Sequence, residues 1–214
     1  MREYKKITYF ENIPVVPNQD KIYMRLGYRN HVTVLTEEHQ RMLARGIQKG
    51  VSLCRLKGAI GRFDIIARHS DFVRLEDGYV LKSKSLSKLL LQSDEVILLA
   101  STAGKEVVER IFAEIDSGDA TLGVIMDAVA SQAADEALGW MIKYIAAMIK
   151  REDKKITKHR YSPGYGDLLL ENQAHIFEKL GLQKLDLKLT EKYMLVPEKS
   201  VIAIAGIERV KTNE

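Results

Sequence analysis

Residues 160 to 167 read Arg160-Tyr161-Ser162-Pro163-Gly164-Tyr165-Gly166-Asp167, a guanidinium, hydroxyls and a carboxylate gathered around a Pro-Gly pair. Pro163 pre-sets one dihedral and Gly164 admits positive φ, so a tight turn resembling type II is expected at the centre. Such a turn exposes consecutive backbone N–H and C=O groups, and a rigid strand end followed by it is a place where main chain can hold a small molecule. A plain hairpin or strand-to-helix turn with a surface arginine fits the same residues. A second set of candidates is Asp127, Asp135 and Glu136, carboxylates among apolar and small neighbours. They form either a solvated helix face or a place where a ligand cation is met.

Other chemistries find less support. His31, His39, His69, His159 and His175 lack i, i+4 spacing and any His-Glu-x-x-His setting, so no metal site is expected. Cys54, the only cysteine, excludes an internal disulfide and reads as a small core residue. Ser101-Thr102-Ala103-Gly104-Lys105 joins a strand to a helix as a phosphate loop would. However, Leu99 stands where the first glycine belongs, and Glu106 follows the lysine. Lys150-Arg151 with Lys154-Lys155 is the densest basic patch, and a solvated helix end accounts for it without nucleic acid.

The elements that must carry these residues can be read from periodicity. Lys154–Arg160 is expected to be a strand delivering Arg160 to the turn, after a long helix over 121–151 that holds the carboxylates. A helix over 168–180, ended by Gly181, follows the turn. Upstream, Asn18 and Thr36 are helix caps, with Leu43, Ile47 and Val51 forming a buried stripe after the second. Asp77-Gly78 marks a hairpin, Ser85–Leu91 a short helix, and Glu95–Ala100 a strand buried on both faces. The C-terminal 187–206 reads as two strands separated by a proline-containing turn.

The 214 residues are 46% hydrophobic, enough for a sizeable core, and the net charge of +4 is mild. No apolar run is long enough to span a membrane and the N-terminus lacks a signal-peptide pattern, so a cytoplasmic protein is expected. Without a repeat or a clear linker, one α+β domain over 1–214 is expected, with a mixed, mostly antiparallel twisted sheet flanked by helices.

Arg160, Gly164 and Tyr165, with Ser162-Pro163 between them, form an Arg-x-x-x-Gly-Tyr pattern. It resembles the S-adenosylmethionine-binding motif of the activation domain of cobalamin-dependent methionine synthase. Leu189-Thr190-Glu191, Met194, Pro197 and Ser200-Val201 resemble that domain's C-terminal segment, and the alanine-rich helix with Asp135-Glu136 resembles the helix before the motif. The resemblance is best over 120–207 and loose over 1–90, where Arg25-Leu26-Gly27-Tyr28 carries it. It implies a stand-alone subunit that binds S-adenosylmethionine and supports reductive remethylation of cob(II)alamin on a partner protein of methionine synthase type. An electron donor such as a flavodoxin or ferredoxin would act with it, and neither nucleic acid nor membrane would be involved. By the same resemblance Arg160 takes the ligand's carboxylate, Asp135 or else Glu136 its ammonium, and the backbone of Ser162, Pro163 and Gly164 the remainder. Tyr165 would lie near the corrin face, and no residue is assigned a catalytic role. The sequence departs from the family at Gly166-Asp167-Leu168-Leu169-Leu170. Two alternatives stand beside this reading: a non-catalytic module of the same fold that engages a corrinoid protein, and an independent small-molecule methyltransferase.

Overall fold

The computed structural model describes residues 7–29 and 32–210; the N-terminal segment used in the signal-peptide argument and His31 lie outside the described residues. In chain order the elements are β1 (Thr8–Phe10), α1 (Gln19–Arg25), α2 (Glu37–Leu53), β2 (Lys57–Arg68), β3 (Phe72–Leu75), β4 (Val80–Lys82) and α3 (Lys84–Leu89). They continue with β5 (Ser93–Thr102), α4 (Lys105–Asp116), α5 (Ala120–Ile149), β6 (Lys154–Ile156), α6 (Asn172–Leu180), β7 (Lys188–Leu189), β8 (Leu195–Val196) and β9 (Ser200–Arg209). The main sheet runs β4-β3-β2-β5-β9-β6 with β1 also on β2, and each of these pairings is antiparallel.

β5 lies between β2 and β9, so both its edges are hydrogen-bonded, and helices cover both its faces, as its apolar run requires. Ile97 and Leu99 enter a core with α4 and α5, while Val96, Leu98 and Ala100 enter a second core with α3 and α6. Opposite Ile97 and Leu99 stand Ala205 and Ala203 of β9. Ala130, Ala133 and Ala137 bring α5 close to that surface, and Ser101 Oγ donates to the Ala134 carbonyl at 2.7 Å. On the outer side of α5, α2 approaches through Gly46 and Gly50. A Cβ at these positions would lie 2.6 Å from Ile125 and 3.0 Å from Val129. The leucine-valine stripe predicted a buried face on α2; the glycines that set its distance carry no periodic signal.

Local signals held at several ends. Asn18 accepts from the Lys21 amide at 3.0 Å and Thr36 from the His39 amide at 3.3 Å. Gly78, at φ 88°, turns the β3–β4 hairpin, and Gly181, at φ 58°, stops α6. Other boundaries moved. The helix expected from Leu168 begins at Asn172, and the C-terminal segment divides into a separate β7–β8 ribbon and the long central β9.

The expected strand over 154–160 also needs correction: β6 stops at Ile156. Thr157 Oγ1 accepts from the Gly206 amide at 3.0 Å and donates to the His159 carbonyl at 2.9 Å. The side chain thus takes the place of a main-chain acceptor, and the ladder breaks. The chain rejoins β9 at Tyr161, whose amide donates to Ile204 O at 2.8 Å and whose carbonyl accepts from Ile204 N at 2.7 Å.

Candidate functional site

That single bridge decides where Arg160 goes. Successive side chains in extended backbone point to opposite faces. Tyr161 packs into the core shared with α3 and α6. Arg160 is directed to the α5 face and forms a hydrogen-bonded ion pair with Asp135. The pair is half open to solvent, its side chains 28% and 38% exposed.

Next comes the turn expected from the sequence. The Tyr165 amide donates to Ser162 O at 3.2 Å with Gly164 at φ 89°, the geometry of type II. Pro163 is buried and Tyr165 is 70% exposed. The loop is fixed from below by Asp167, which accepts from the Ser83 hydroxyl at 2.7 Å and the Lys84 amide at 2.6 Å at the start of α3. Hydrogen bonds from the Ser83 hydroxyl first, and then from Ser85 and the Lys84 amide, outweigh desolvation and bring the Asp167 carboxyl down to about 2. Gly166, at φ 54°, has no room for a side chain, because a Cβ would collide with the Tyr161 hydroxyl.

Between this loop, α1, α5 and the start of β9 lies a pocket of about 200 Å³, with Arg25, Ser131, Asp135, Tyr165 and Lys199 among its walls. Spacing on α5 explains the arrangement, since Asp127, Ser131 and Asp135 recur every four residues along one ridge. Each acidic candidate on α5 meets a cation of the chain itself. Asp127 pairs with Lys199 at 2.6 Å, Asp135 with Arg160, and Glu136 with Lys21 at 2.9 Å. Gln132 links the rows, accepting from Arg25 Nε at 2.8 Å and donating to Glu136 at 2.9 Å. Burial works to raise the Glu136 carboxyl, but the hydrogen bonds from Lys21 and Gln132 outweigh it and hold the group below its ordinary range. Cys54 is partly buried against the core with α4 and α5, and desolvation pushes its thiol up to about 12, which fits the core-packing role expected for it. Among the described residues no helix is long and apolar enough to cross a membrane.

No family model and no curated protein matches the sequence. Among solved structures the chain is similar to one described as the MetH reactivation domain bound to AdoHcy. The TM-score is 0.67 at 16% identity, over 99% of this chain and 81% of the other. The fold is that of the MetH reactivation domain.

Within this reactivation-domain fold, Asp135 and Tyr165 line the pocket, and Arg160 is tied to it through Asp135. Ser162, Pro163 and Gly164 form the turn behind Tyr165, and Glu136 turns toward α1. Arg25 and Lys199 were not singled out by sequence reasoning for any role. Arg25 sits in a block noted only for its likeness to the family. Lys199 follows a proline turn with no motif of its own, and only its contact with α5 reveals it.

Proposed function

We propose that this chain binds S-adenosylmethionine at the pocket beside Tyr165 and supports remethylation of a cobalamin carried by a partner protein. The observation that carries the reading is the Arg160–Asp135 pair at the pocket edge, next to the type II turn. An α-amino acid end is itself a carboxylate beside an ammonium. Its carboxylate suits Arg160 and its ammonium suits Asp135, so a ligand entering between them exchanges one ion pair for two. The fold supports the same reading, since the similar solved domain is described with AdoHcy bound.

At about 200 Å³ the pocket is smaller than the roughly 300–1,000 Å³ usual for ligand sites, so binding must part Arg160 from Asp135 and widen it. The chain contributes positioning: with the amino-acid end fixed, the sulfonium methyl is held toward the exposed rim at Tyr165. The partner's cobalamin is the methyl acceptor. After one electron from an outside donor of flavodoxin or ferredoxin type, it takes the methyl and S-adenosylhomocysteine leaves. Such a protein would work in the cytoplasm with its cobalamin-bearing partner.

Mixing the chain, S-adenosylmethionine, a reductant and a cobalamin-loaded partner domain should produce methylcobalamin and S-adenosylhomocysteine in equal amounts. No product with the chain present, under conditions where the partner's cobalamin is reduced, would contradict the reading. The self-pairing of Arg160 and Asp135 favours one alternative, a module of this fold that engages a corrinoid protein without binding the nucleoside. That alternative predicts partner binding with no response to S-adenosylmethionine.

A further inference from the structure

A second cavity, of about 410 Å³, opens where β5 passes into α4. Its walls bring together Arg55 after α2, Lys57 of β2, Lys105 at the start of α4 and Lys188 of β7. Four cationic residues from three stretches of the chain thus line one space, together with the carboxylates of Glu106 and Asp186. Arg55 pairs with Glu106 at 3.1 Å, and Lys57 is held by Asp186 at 3.0 Å and Glu11 at 3.1 Å. Lys105 and Lys188 are exposed and have no ion-pair partner among the described residues.

The backbone adds to this charge. Gly104 precedes α4 at φ 87° with no side-chain cap, and Gly104, Lys105 and Glu106 at the start of this 12-residue helix line the cavity. A Cβ at Gly104 would sit 3.0 Å from Arg55 Cβ, and that close approach places the Arg55 segment against the helix start. A helix start, two unpaired ammonium groups and a guanidinium suit a multiply charged group with several acceptor oxygens. The volume exceeds that needed by a bare anion and lies within the roughly 300–1,000 Å³ range of small-molecule sites.

We infer that this cavity is a binding site for a small phosphorylated molecule, separate from the pocket beside Tyr165. The phosphate groups rest on the α4 N-terminus between Lys105 and Lys188. Glu106 competes for Arg55 and keeps the site open until the ligand enters.

The test is titration of the full chain with pyrophosphate and with ADP, followed by calorimetry and by amide shifts in nuclear magnetic resonance. Expected are one-to-one saturation and shifts centred on 104–107 and 55–57. The double variant K105A/K188A should weaken binding by about tenfold or more, and Glu106→Gln, which frees Arg55, should tighten it by a few fold. Arg160→Ala should leave it unchanged. Tighter binding of ADP than pyrophosphate would mark a nucleotide as the class of ligand, and equal binding a simpler diphosphate. No saturation at millimolar ligand, equal response to sulfate at matched ionic strength, or shifts centred elsewhere would overturn the assignment.

Discussion

Two groups of charges lie at opposite ends of a functional scale in this molecule. One joins Arg62, Glu95, Glu152 and Lys154 across β2, β5 and β6. The other pairs Asp127, Asp135 and Glu136 of α5 with Lys199, Arg160 and Lys21. In the first, each carboxylate serves both cations: Glu95 is bound by Arg62 and Lys154, and so is Glu152. Arg62 and Glu95 are 11% and 7% exposed, and the charges balance, so the network is closed. In the second, the ion pairs are one-to-one and more open, and two of them reach a pocket through Asp135 and Lys199. The lesson is that pairing alone does not distinguish scaffold from site. The useful differences are whether each charge has a spare partner and whether space lies beside it.

The sharpest way to break this contrast is in the closed network. Arg62→Ala leaves Glu95 buried with half its partners and should cost about 3 kcal/mol or more of stability in denaturant unfolding. A loss below about 1 kcal/mol would place this network with ordinary surface pairs. At the loop that holds the motif, Gly166→Ala combines a left-handed φ with a collision at the Tyr161 hydroxyl and should cost about 1–2 kcal/mol.

Acid tests the closed network directly. Hydrogen bonds from Arg62, opposed by burial, and then from Lys154 hold the Glu152 carboxyl down at about 2, and Glu95 is lowered as well. The folded state keeps these groups charged where the unfolded chain would be protonated. Their contribution is therefore full above the ordinary value of 4.5 and is lost as pH falls from there toward about 2. Thermal unfolding followed between pH 6 and 2 should show this loss, and Arg62→Ala should flatten it. Arg160→Ala should cost less than about 1 kcal/mol of stability, because its pair is partly exposed.

What could be read from the sequence follows the same division. The apolar run of β5, the Asp77-Gly78 hairpin, the Asn18 and Thr36 caps and the Pro163-Gly164 turn each rest on a local signal, and each is present. The end of β6 depended on a Thr157 hydroxyl replacing a ladder partner, which no alternation pattern records. Glu95 looked like the first residue of an apolar strand, and its network draws on residues from 62 to 154. Asp135 and Arg160 were both singled out, but as two ends of a ligand site. That they hold each other follows from Tyr161 pairing with Ile204, a long-range contact.

The central claim is that the Arg160–Asp135 pair is divided by an amino-acid ligand, and calorimetric titration of S-adenosylmethionine into the chain and into Arg160→Ala tests it most directly. The account predicts saturable binding by the native chain, weakened by about 1.5–3 kcal/mol in the variant. Undetectable binding by the native chain, or equal affinity in both, would contradict it.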